Sequence, residues 1–302
     1  MSQPIEITEY TDAMCSWAWG TEPKLRLLRW RFESQIARWR VVMGHLVEDE
    51  YMPERDREAE GPKLQAYWKV VCDQTGMPRP DPLNRSTGGS RASGLVAKAA
   101  QDQGDETAQL ILRRLREATF VAGEPPDTID RALAAVQGVA GLDHEALATA
   151  AASEKTAAAY LTDGEETRTP NDHVLNLEGD RPGIGRAREA RDGRMRFVFP
   201  TIVVRAIDGS SERTVPGWMD YGDYEHALFD LGAVADDRAT AHPTPAEALA
   251  RWPSLAEAEL AFLCGHRGAP PAEAVIDQRP GGTMILTKAE AEATGSRGLS
   301  ED

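Results

Sequence analysis

A predicted strand runs directly into a predicted helix near the start of the chain, and a cysteine lies where the two meet. Ile5 and Ile7 alternate with polar residues, as in a strand, whereas the apolar residues from Trp19 onward follow a helical spacing. Cys15 therefore lies close to the first turn of the helix, and we expect Pro23 to belong to that turn. Unpaired backbone N–H groups and the positive end of the helix dipole favour a thiolate there. We therefore expect the pKa of Cys15 to fall from about 8.5 to roughly 3.5–7.5.

Further segments complete a mixed α/β pattern. The first helix is predicted to end near residues 32–36, and a second strand follows at 39–43. A strand, a helix and a strand of these lengths form a unit with parallel pairing and a right-handed crossover. A continuous apolar run at 202–204 predicts a buried strand, 212–215 predicts its antiparallel partner, and Asp220 is placed to cap a following helix. The sequence therefore predicts an α/β fold.

The long middle of the chain has helical periodicity. In the segment 63–75, Leu64, Trp68 and Cys72 share one apolar face. This face predicts that Cys72 is a small buried apolar residue, and a role as a remote resolving thiol is the alternative. Further helices are predicted at 93–103, 106–120, 143–153 and 154–161.

The last part of the chain has its own pattern of helices and a hairpin-like end. Thr244 and Ser254 each precede a glutamate by three residues, which is the form of a capping box. A turn at 281–282 leads into a predicted strand at 283–287. These elements predict a small winged-helix-like module, with a disordered tail of about ten residues. Residues 241–302 are net acidic, which argues against DNA binding by this module.

The composition excludes several classes of function. The formal net charge of the 302-residue chain is -15, so nucleic acid and anionic membranes would repel it at long range. Three scattered cysteines, with no secretory signal and no long apolar run, predict a cytoplasmic protein. No zinc-binding spacing and no clear nucleotide-binding glycine pattern is present, so we expect no metal and no tightly bound cofactor.

The residues around Cys15 carry a family resemblance. The run M-C-S-W-A-W-G, residues 14–20, resembles the active-site turn of DsbA-type thioredoxin-fold oxidoreductases, whose motif is Cys-x-x-Cys. In the cytoplasmic DsbA-like subgroup of predicted disulfide isomerases, the run Cys-Ser-Trp-Cys-Trp-Gly is common. Cys15 matches the nucleophile, and Ala18 stands where that family has the resolving cysteine. The matching neighbours in the active-site motif are Met14, Ser16, Trp17, Trp19 and Gly20.

The resemblance implies a thioredoxin fold with a large α-helical insertion and the small C-terminal module. Its core would comprise residues 1–50 and 195–232, with the insertion and connectors at 51–194 and the module at 233–302. In this family the insertion forms one wall of the substrate groove. A cis-proline loop faces the nucleophile there, and Phe199, Pro200 and Thr201 match it.

The activity implied by the resemblance is thiol–disulfide exchange through one nucleophilic cysteine, because Ala18 cannot resolve a mixed disulfide. A low-molecular-weight thiol or a protein would then be the partner that completes turnover. Two alternatives remain. Some members of the subgroup are non-redox adaptors that deliver proteins to the ClpXP protease, and related branches are thiol-dependent transferases or isomerases.

Several other residues are candidates with two interpretations each. Arg113, Arg114 and Arg116 would bind an acidic thiol cofactor, although pairing with acids such as Glu117, or simple solvation, is the stronger expectation. His45 would reach the edge of the active site, although a hydrogen-bonded structural histidine is the stronger expectation. The tryptophans Trp17 and Trp19 would line a groove for an apolar substrate, and core packing is the stronger expectation for Trp19.

Overall fold

The structure, a computed structural model, describes residues 4–47, 54–85, 88–178, 185–235, 242–265 and 268–296. The strands are β1 (Ile5–Thr11), β2 (Ile36–Met43), β3 (Arg188–Glu189), β4 (Met195–Arg196), β5 (Thr201–Ala206), β6 (Glu212–Pro216), β7 (Ser254–Ala256), β8 (Val275–Arg279) and β9 (Gly282–Leu286). The helices are α1 (Ser16–Phe32), α2 (Glu54–Thr75), α3 (Arg91–Ala100), α4 (Asp105–Phe120), α5 (Ile129–Ala135), α6 (His144–Ala151), α7 (Glu154–Thr167), α8 (Asp172–Leu175), α9 (Tyr221–Phe229), α10 (Pro245–Arg251), α11 (Glu257–Leu263) and α12 (Lys288–Thr294).

The central sheet has four strands in the order β2-β1-β5-β6. β1 and β2 are parallel, and α1 connects them, whereas β5 pairs antiparallel with both β1 and β6. Val41 of β2 and Val203 of β5 lie in this one sheet, as the sequence predicts. On one face, Ile7 of β1 packs with Leu28 of α1 and Leu228 of α9. This arrangement is the predicted thioredoxin fold.

Helices α2 to α8 are inserted between β2 and β3, which confirms the predicted α-helical insertion. Small and branched apolar residues of α3 to α7 form a shared cluster that includes Met43 at the end of β2. The insertion is therefore anchored on the edge of the sheet next to the start of α1.

The C-terminal part has the order α10, β7, α11, β8, β9 and α12, with a three-stranded sheet in the order β7-β9-β8. A helix, a strand, a helix and then a hairpin make up the predicted winged-helix-like module. Its core reaches the thioredoxin part directly, because Leu27 of α1 packs in one cluster with Trp252, Leu255 and Leu260. The predicted tail lies outside the described residues from 297 onward, and its first residues, 293 and 294, belong to α12.

Three local expectations are wrong. Pro23 lies in the second turn of α1, and the helix continues through it although the proline removes one backbone hydrogen bond. The helix predicted at 63–75 begins earlier, at Glu54, and runs through Pro62. Ser254 does not cap a helix, because it belongs to β7 and pairs with Leu286 of β9. The following helix, α11, begins after Ala256, whose N–H donates to the Glu259 carboxylate at 2.9 Å.

Among the described residues, no helix combines the length and the apolar character that crossing a membrane requires.

Candidate functional site

Cys15 is the residue immediately before α1, with an extended backbone (φ −84°, ψ 110°). Its carbonyl accepts the Trp19 N–H at 2.9 Å, so the first helical hydrogen bond starts there. Its thiol donates to the Phe199 carbonyl at 3.4 Å. The Phe199–Pro200 peptide bond is cis. The fold therefore brings the helix start and the residue before Pro200 together across 184 positions of sequence.

The loop around Phe199 is held from two sides. Thr201, at the start of β5, is fully buried, and its hydroxyl donates to the Val198 carbonyl at 2.6 Å. On the other side the Phe199 ring lies against Gly44, where an added Cβ would come within 2.2 Å of a ring carbon. Gly44 is therefore required for the close approach of the Phe199 ring to the end of β2.

The sulfur of Cys15 is buried, since only 5% of the residue is exposed. This burial raises the pKa of the Cys15 thiol to about 11. The charge of Asp12 raises it too, whereas the backbone N–H groups of Ala18 and Trp17 and the charge of Arg116 lower it. The expected low pKa is therefore wrong: the helix start does offer N–H groups, but the removal of the sulfur from water outweighs them. Cys15 is a neutral thiol at pH 7.

Asp12 holds the turn that precedes Cys15. Its carboxylate accepts the N–H groups of Met14 at 2.9 Å and Leu46 at 3.0 Å, and the hydroxyl of Ser90 at 2.9 Å. These bonds join β1, the loop after β2 and the start of α3. Burial nevertheless raises the pKa of Asp12 to about 6. Asp12 is not among the predicted site residues, although an acidic residue in the turn before a helix is a signal for such a role.

A groove of about 690 Å³ opens beside Cys15, Met14, Ser16 and Trp17. Its apolar wall includes Leu64 and Trp68 of α2, so the insertion does line the groove. The Trp17 indole N–H donates to the Tyr67 hydroxyl at 2.6 Å, which fixes the ring against this wall. Ala18 is buried one turn along α1, and it packs in the same apolar cluster as Cys15 and Trp17.

Two arginines that the sequence does not predict also line the groove. Arg188 of β3 and Arg196 of β4 face each other in a two-stranded ribbon. The Arg196 guanidinium lies 4.7 Å from the centre of the Phe199 ring and donates to the Phe197 carbonyl at 2.8 Å. Burial lowers the pKa of Arg196, while the negative charges of a Cys15 thiolate and of Asp12 raise it. These guanidinium groups give the groove a side that suits carboxylates.

Arg113, Arg114 and Arg116 are not among the residues that line the groove, so the expectation that they bind an acidic thiol is not supported. All three are at most 5% exposed, because α4 packs against α1 and the C-terminal module. The alternative is confirmed for Arg113, whose Nε lies 2.6 Å from the Glu117 carboxylate. Their other carboxylate partners are Glu9, Glu22, Glu259 and Glu290.

The remaining candidates have structural contacts outside the groove. His45 stacks on Tyr160, with ring centres 4.1 Å apart, and one ring nitrogen lies 3.0 Å from the Tyr160 carbonyl oxygen. Cys72 is buried and its thiol donates to the Pro78 carbonyl at 3.4 Å. Trp19 is fully buried and stacks on Phe120, in agreement with core packing. Within the described part of the chain, no cluster of three or more His, Cys, Asp or Glu side chains is placed to hold a metal ion.

The raised pKa predicts the pH dependence of Cys15 alkylation. Below the pKa the thiolate fraction grows tenfold per pH unit, so the iodoacetamide rate should rise about tenfold per unit between pH 7 and 9. Cys72 is the internal control, because burial raises its pKa to about 12 and it should react more slowly throughout. Mass mapping after limited labelling measures both rates. A Cys15 rate that levels off below pH 8 would contradict the raised pKa.

Comparison with known proteins gives three findings. A thioredoxin family model matches residues 9–170, just over half of the chain. The ClpXP adapter protein SpxH of Halalkalibacterium halodurans is 28% identical over 152 residues, so the chain spans about half the length of this curated relative (47% of each protein). A solved structure of a proposed protein disulfide isomerase from Nitrosomonas europaea superposes with a TM-score of 0.54. It is 16% identical, and the match covers 76% of this chain and 97% of that chain, which shows a shared fold.

Proposed function

This chain belongs to the thioredoxin family whose model matches residues 9–170, and on that premise we propose that it carries out DsbA-like thiol–disulfide exchange through the single thiol of Cys15. One observation carries the proposal: the Cys15 sulfur lies at the head of α1, 3.4 Å from the Phe199 carbonyl oxygen, and borders a groove of about 690 Å³. A substrate disulfide that enters this groove contacts the Cys15 sulfur, the Phe199 carbonyl and the apolar side chains of α2.

The exchange has two balanced steps. The Cys15 thiol loses its proton to solvent, and the thiolate attacks one sulfur of a substrate disulfide, so a mixed disulfide forms and the other half leaves as a thiolate. With Ala18 in place of a second thiol, an external thiolate must attack the mixed disulfide. That attack forms a new disulfide between the two outside sulfurs and returns Cys15 as a thiolate. Because a thiol of pKa about 11 is ionised to only ~10⁻⁴ at pH 7, we expect slow exchange that accelerates with pH.

The arginines of the groove support an acidic low-molecular-weight thiol as the second substrate. Arg188 and Arg196 line the same groove as Cys15, and guanidinium groups bind carboxylates in pairs of parallel hydrogen bonds. The negative charge of the whole chain opposes anions at long range. At physiological salt, however, this repulsion is screened beyond about 8 Å, and the local cations act inside that distance.

A test compares an acidic with a basic disulfide of similar chemistry. At pH 8, glutathione disulfide should add one half-molecule to Cys15 about tenfold faster than cystamine does, because two arginines and one glutamate, Glu189, leave the groove lining net positive. Arg196→Gln should reduce this preference, whereas Arg205→Gln, which removes a cation that pairs with Glu212 on the central sheet, should leave it unchanged. Intact-mass kinetics measure the rates. Addition to Cys72 or Cys264 instead of Cys15 would refute the proposal.

A second candidate function is a non-redox adaptor that presents proteins to a protease. The raised pKa of Cys15 favours it, because a buried neutral thiol is a poor nucleophile at pH 7. The relative from Halalkalibacterium halodurans, a ClpXP adapter protein, agrees with this alternative. In an adaptor, the groove beside Trp17 would bind a protein segment without a covalent step.

For either function we propose a cytoplasmic location, because all three cysteines are free thiols.

A further inference from the structure

Tyr67 of α2 places a hydroxyl in the groove that contains Cys15. The residue is 44% exposed, so the groove side of its ring is open to solvent and to a substrate. Val71, one turn further along α2, packs in the same buried cluster as Cys15 and Trp17. Because residues four apart lie on one face of a helix, Tyr67 lies on the face of α2 that is turned toward the Cys15 cluster.

The Tyr67 hydroxyl accepts one hydrogen bond and keeps its own proton available. The Trp17 indole N–H donates to its oxygen at 2.6 Å, and Trp17 belongs to the first turn of α1, two residues after Cys15. Within the part of the chain that the structure describes, no acceptor takes the Tyr67 O–H. A hydroxyl donates and accepts at the same time, and accepting a hydrogen bond strengthens it as a donor. The hydroxyl is therefore held beside the start of α1 with one hydrogen bond left to donate.

Two charged groups of the groove act on this hydroxyl. Burial has the largest effect on the pKa of Tyr67 and raises it above the ordinary value of 10, while the Trp17 hydrogen bond lowers it. The charge of a Cys15 thiolate raises this pKa and the charge of Arg188 lowers it. Tyr67 is therefore a protonated donor at pH 8, within electrostatic reach of the reacting sulfur and of an arginine that lines the groove.

We propose that Tyr67 is a catalytic residue whose hydroxyl donates a hydrogen bond to the departing sulfur of the substrate disulfide, a role that rests on the proposed thiol–disulfide exchange. The three sulfurs of such an exchange lie in a line, so the departing sulfur is at least about 4 Å from the Cys15 sulfur, two S–S bond lengths out into the groove. The Cys15 sulfur itself already interacts with the backbone N–H groups of Trp17 and Ala18. The departing sulfur lies beyond these groups, where Tyr67 lines the groove.

Tyr67 acts in the first step of the exchange. The Cys15 thiolate forms the new S–S bond, the substrate S–S bond breaks, and the electron pair of that bond goes to the departing sulfur. The Tyr67 O–H stabilises the negative charge on this sulfur without transferring its proton, so the leaving half departs as a thiolate and Tyr67 is unchanged. Because this hydrogen bond strengthens as the charge develops, it lowers the barrier more than it strengthens the binding of the disulfide.

Two acidic disulfides with different leaving groups test this role. Glutathione disulfide releases a strongly basic alkyl thiolate, whereas dithiobis(nitrobenzoate) releases a weakly basic aromatic thiolate that leaves readily without help. Tyr67→Phe should slow the addition of a glutathione half-molecule to Cys15 about tenfold, and the addition of thionitrobenzoate less than about twofold. Intact-mass kinetics at pH 8 measure both rates. An equal loss with both disulfides, or no loss with glutathione disulfide, would contradict the donor role.

Two further variants separate the hydroxyl from its surroundings. Tyr221→Phe removes the hydroxyl of a tyrosine of α9 that packs against Phe262, and both rates should stay unchanged. Combining Tyr67→Phe with Trp17→Phe leaves no indole N–H without its acceptor, and the selective loss with glutathione disulfide should persist. If the loss disappears in this double variant, Tyr67→Phe acts by displacing Trp17, and the donor role is overturned.

Failure of this role and failure of the proposed function give different results. If the wild type adds neither half-molecule to Cys15, the proposed exchange is overturned, and the role of Tyr67 with it. If the wild type exchanges through Cys15 and Tyr67→Phe has the same two rates, only the role of Tyr67 is overturned.

Discussion

Replacing Arg113 with methionine is expected to destabilise the protein by about 3–5 kcal/mol, because it breaks a buried ion cluster and leaves its carboxylates uncompensated. Arg113 is 4% exposed and contacts Glu22, Glu117 and Glu259 at once, so α1, α4 and α11 meet on this one guanidinium. The melting temperature should fall by about 10 °C. Differential scanning calorimetry measures it.

The matched control is Arg213→Met, which removes an exposed pair with Asp230 and should change stability by less than about 0.5 kcal/mol.

The effect of Arg113→Met should also depend on pH. Burial alone would raise the pKa of Glu22, but the charges of Arg113, Arg116 and Arg26 hold it at about 2, below its ordinary 4.5. Glu22 therefore stabilises the fold above about pH 4.5 and loses this contribution as the pH falls to about 2. The difference between wild type and variant should shrink over that range; a difference independent of pH would argue against the ion cluster.

Replacing Ala18 with cysteine is expected to create a dithiol enzyme. Ala18 lies one helical turn after Cys15, and its backbone N–H interacts with the Cys15 sulfur and lowers the pKa of the thiol. Positions one turn apart have a Cα separation of about 5–6 Å, within the range of a disulfide. The new thiol would resolve the mixed disulfide within the molecule. Insulin reduction should therefore rise at least ~100-fold above the wild type, since intramolecular attack far exceeds attack by an external thiol.

Ala18→Ser is the matched control, because it adds a hydroxyl of similar size but no thiol, and it should reduce insulin as slowly as the wild type does. Combining Ala18→Cys with Cys15→Ser should abolish the gain. If Ala18→Cys forms the disulfide and still reduces no insulin, and Cys15→Ser has no effect in cells, the adaptor is the better description of this protein.

Local sequence patterns were enough to predict the elements that carry the site. The alternation of Ile5 and Ile7 and the helical spacing after Trp19 place Cys15 at a strand–helix junction, and the structure has it one residue before α1. The apolar run at 202–204 likewise predicts β5 correctly. These features follow from side-chain periods within a single segment, so a single segment contains the information.

Local patterns failed where distant segments compete for the same residues. Ser254 has the form of a helix cap, yet pairing with Leu286 of β9 draws it into a strand. The sequence of α4 predicts Glu117 as a partner of Arg113, which the structure confirms, but it does not predict Glu22 and Glu259, which come from other helices. A sequence shows how many charges a helix carries but not which carboxylates other helices bring to it.

The pKa of Cys15 shows most clearly which properties depend on a local segment and which depend on distant segments. The sequence by itself determined that the sulfur lies at a helix start, where N–H groups such as that of Ala18 favour the thiolate. Only the tertiary structure decided that Phe199, 184 positions away, contacts the sulfur and that Val71 of α2 packs in the same buried cluster as Cys15. Burial depends on residues far apart in the chain. Removing the thiolate charge from water costs more free energy than the N–H groups in the first turn of α1 provide by stabilising that charge.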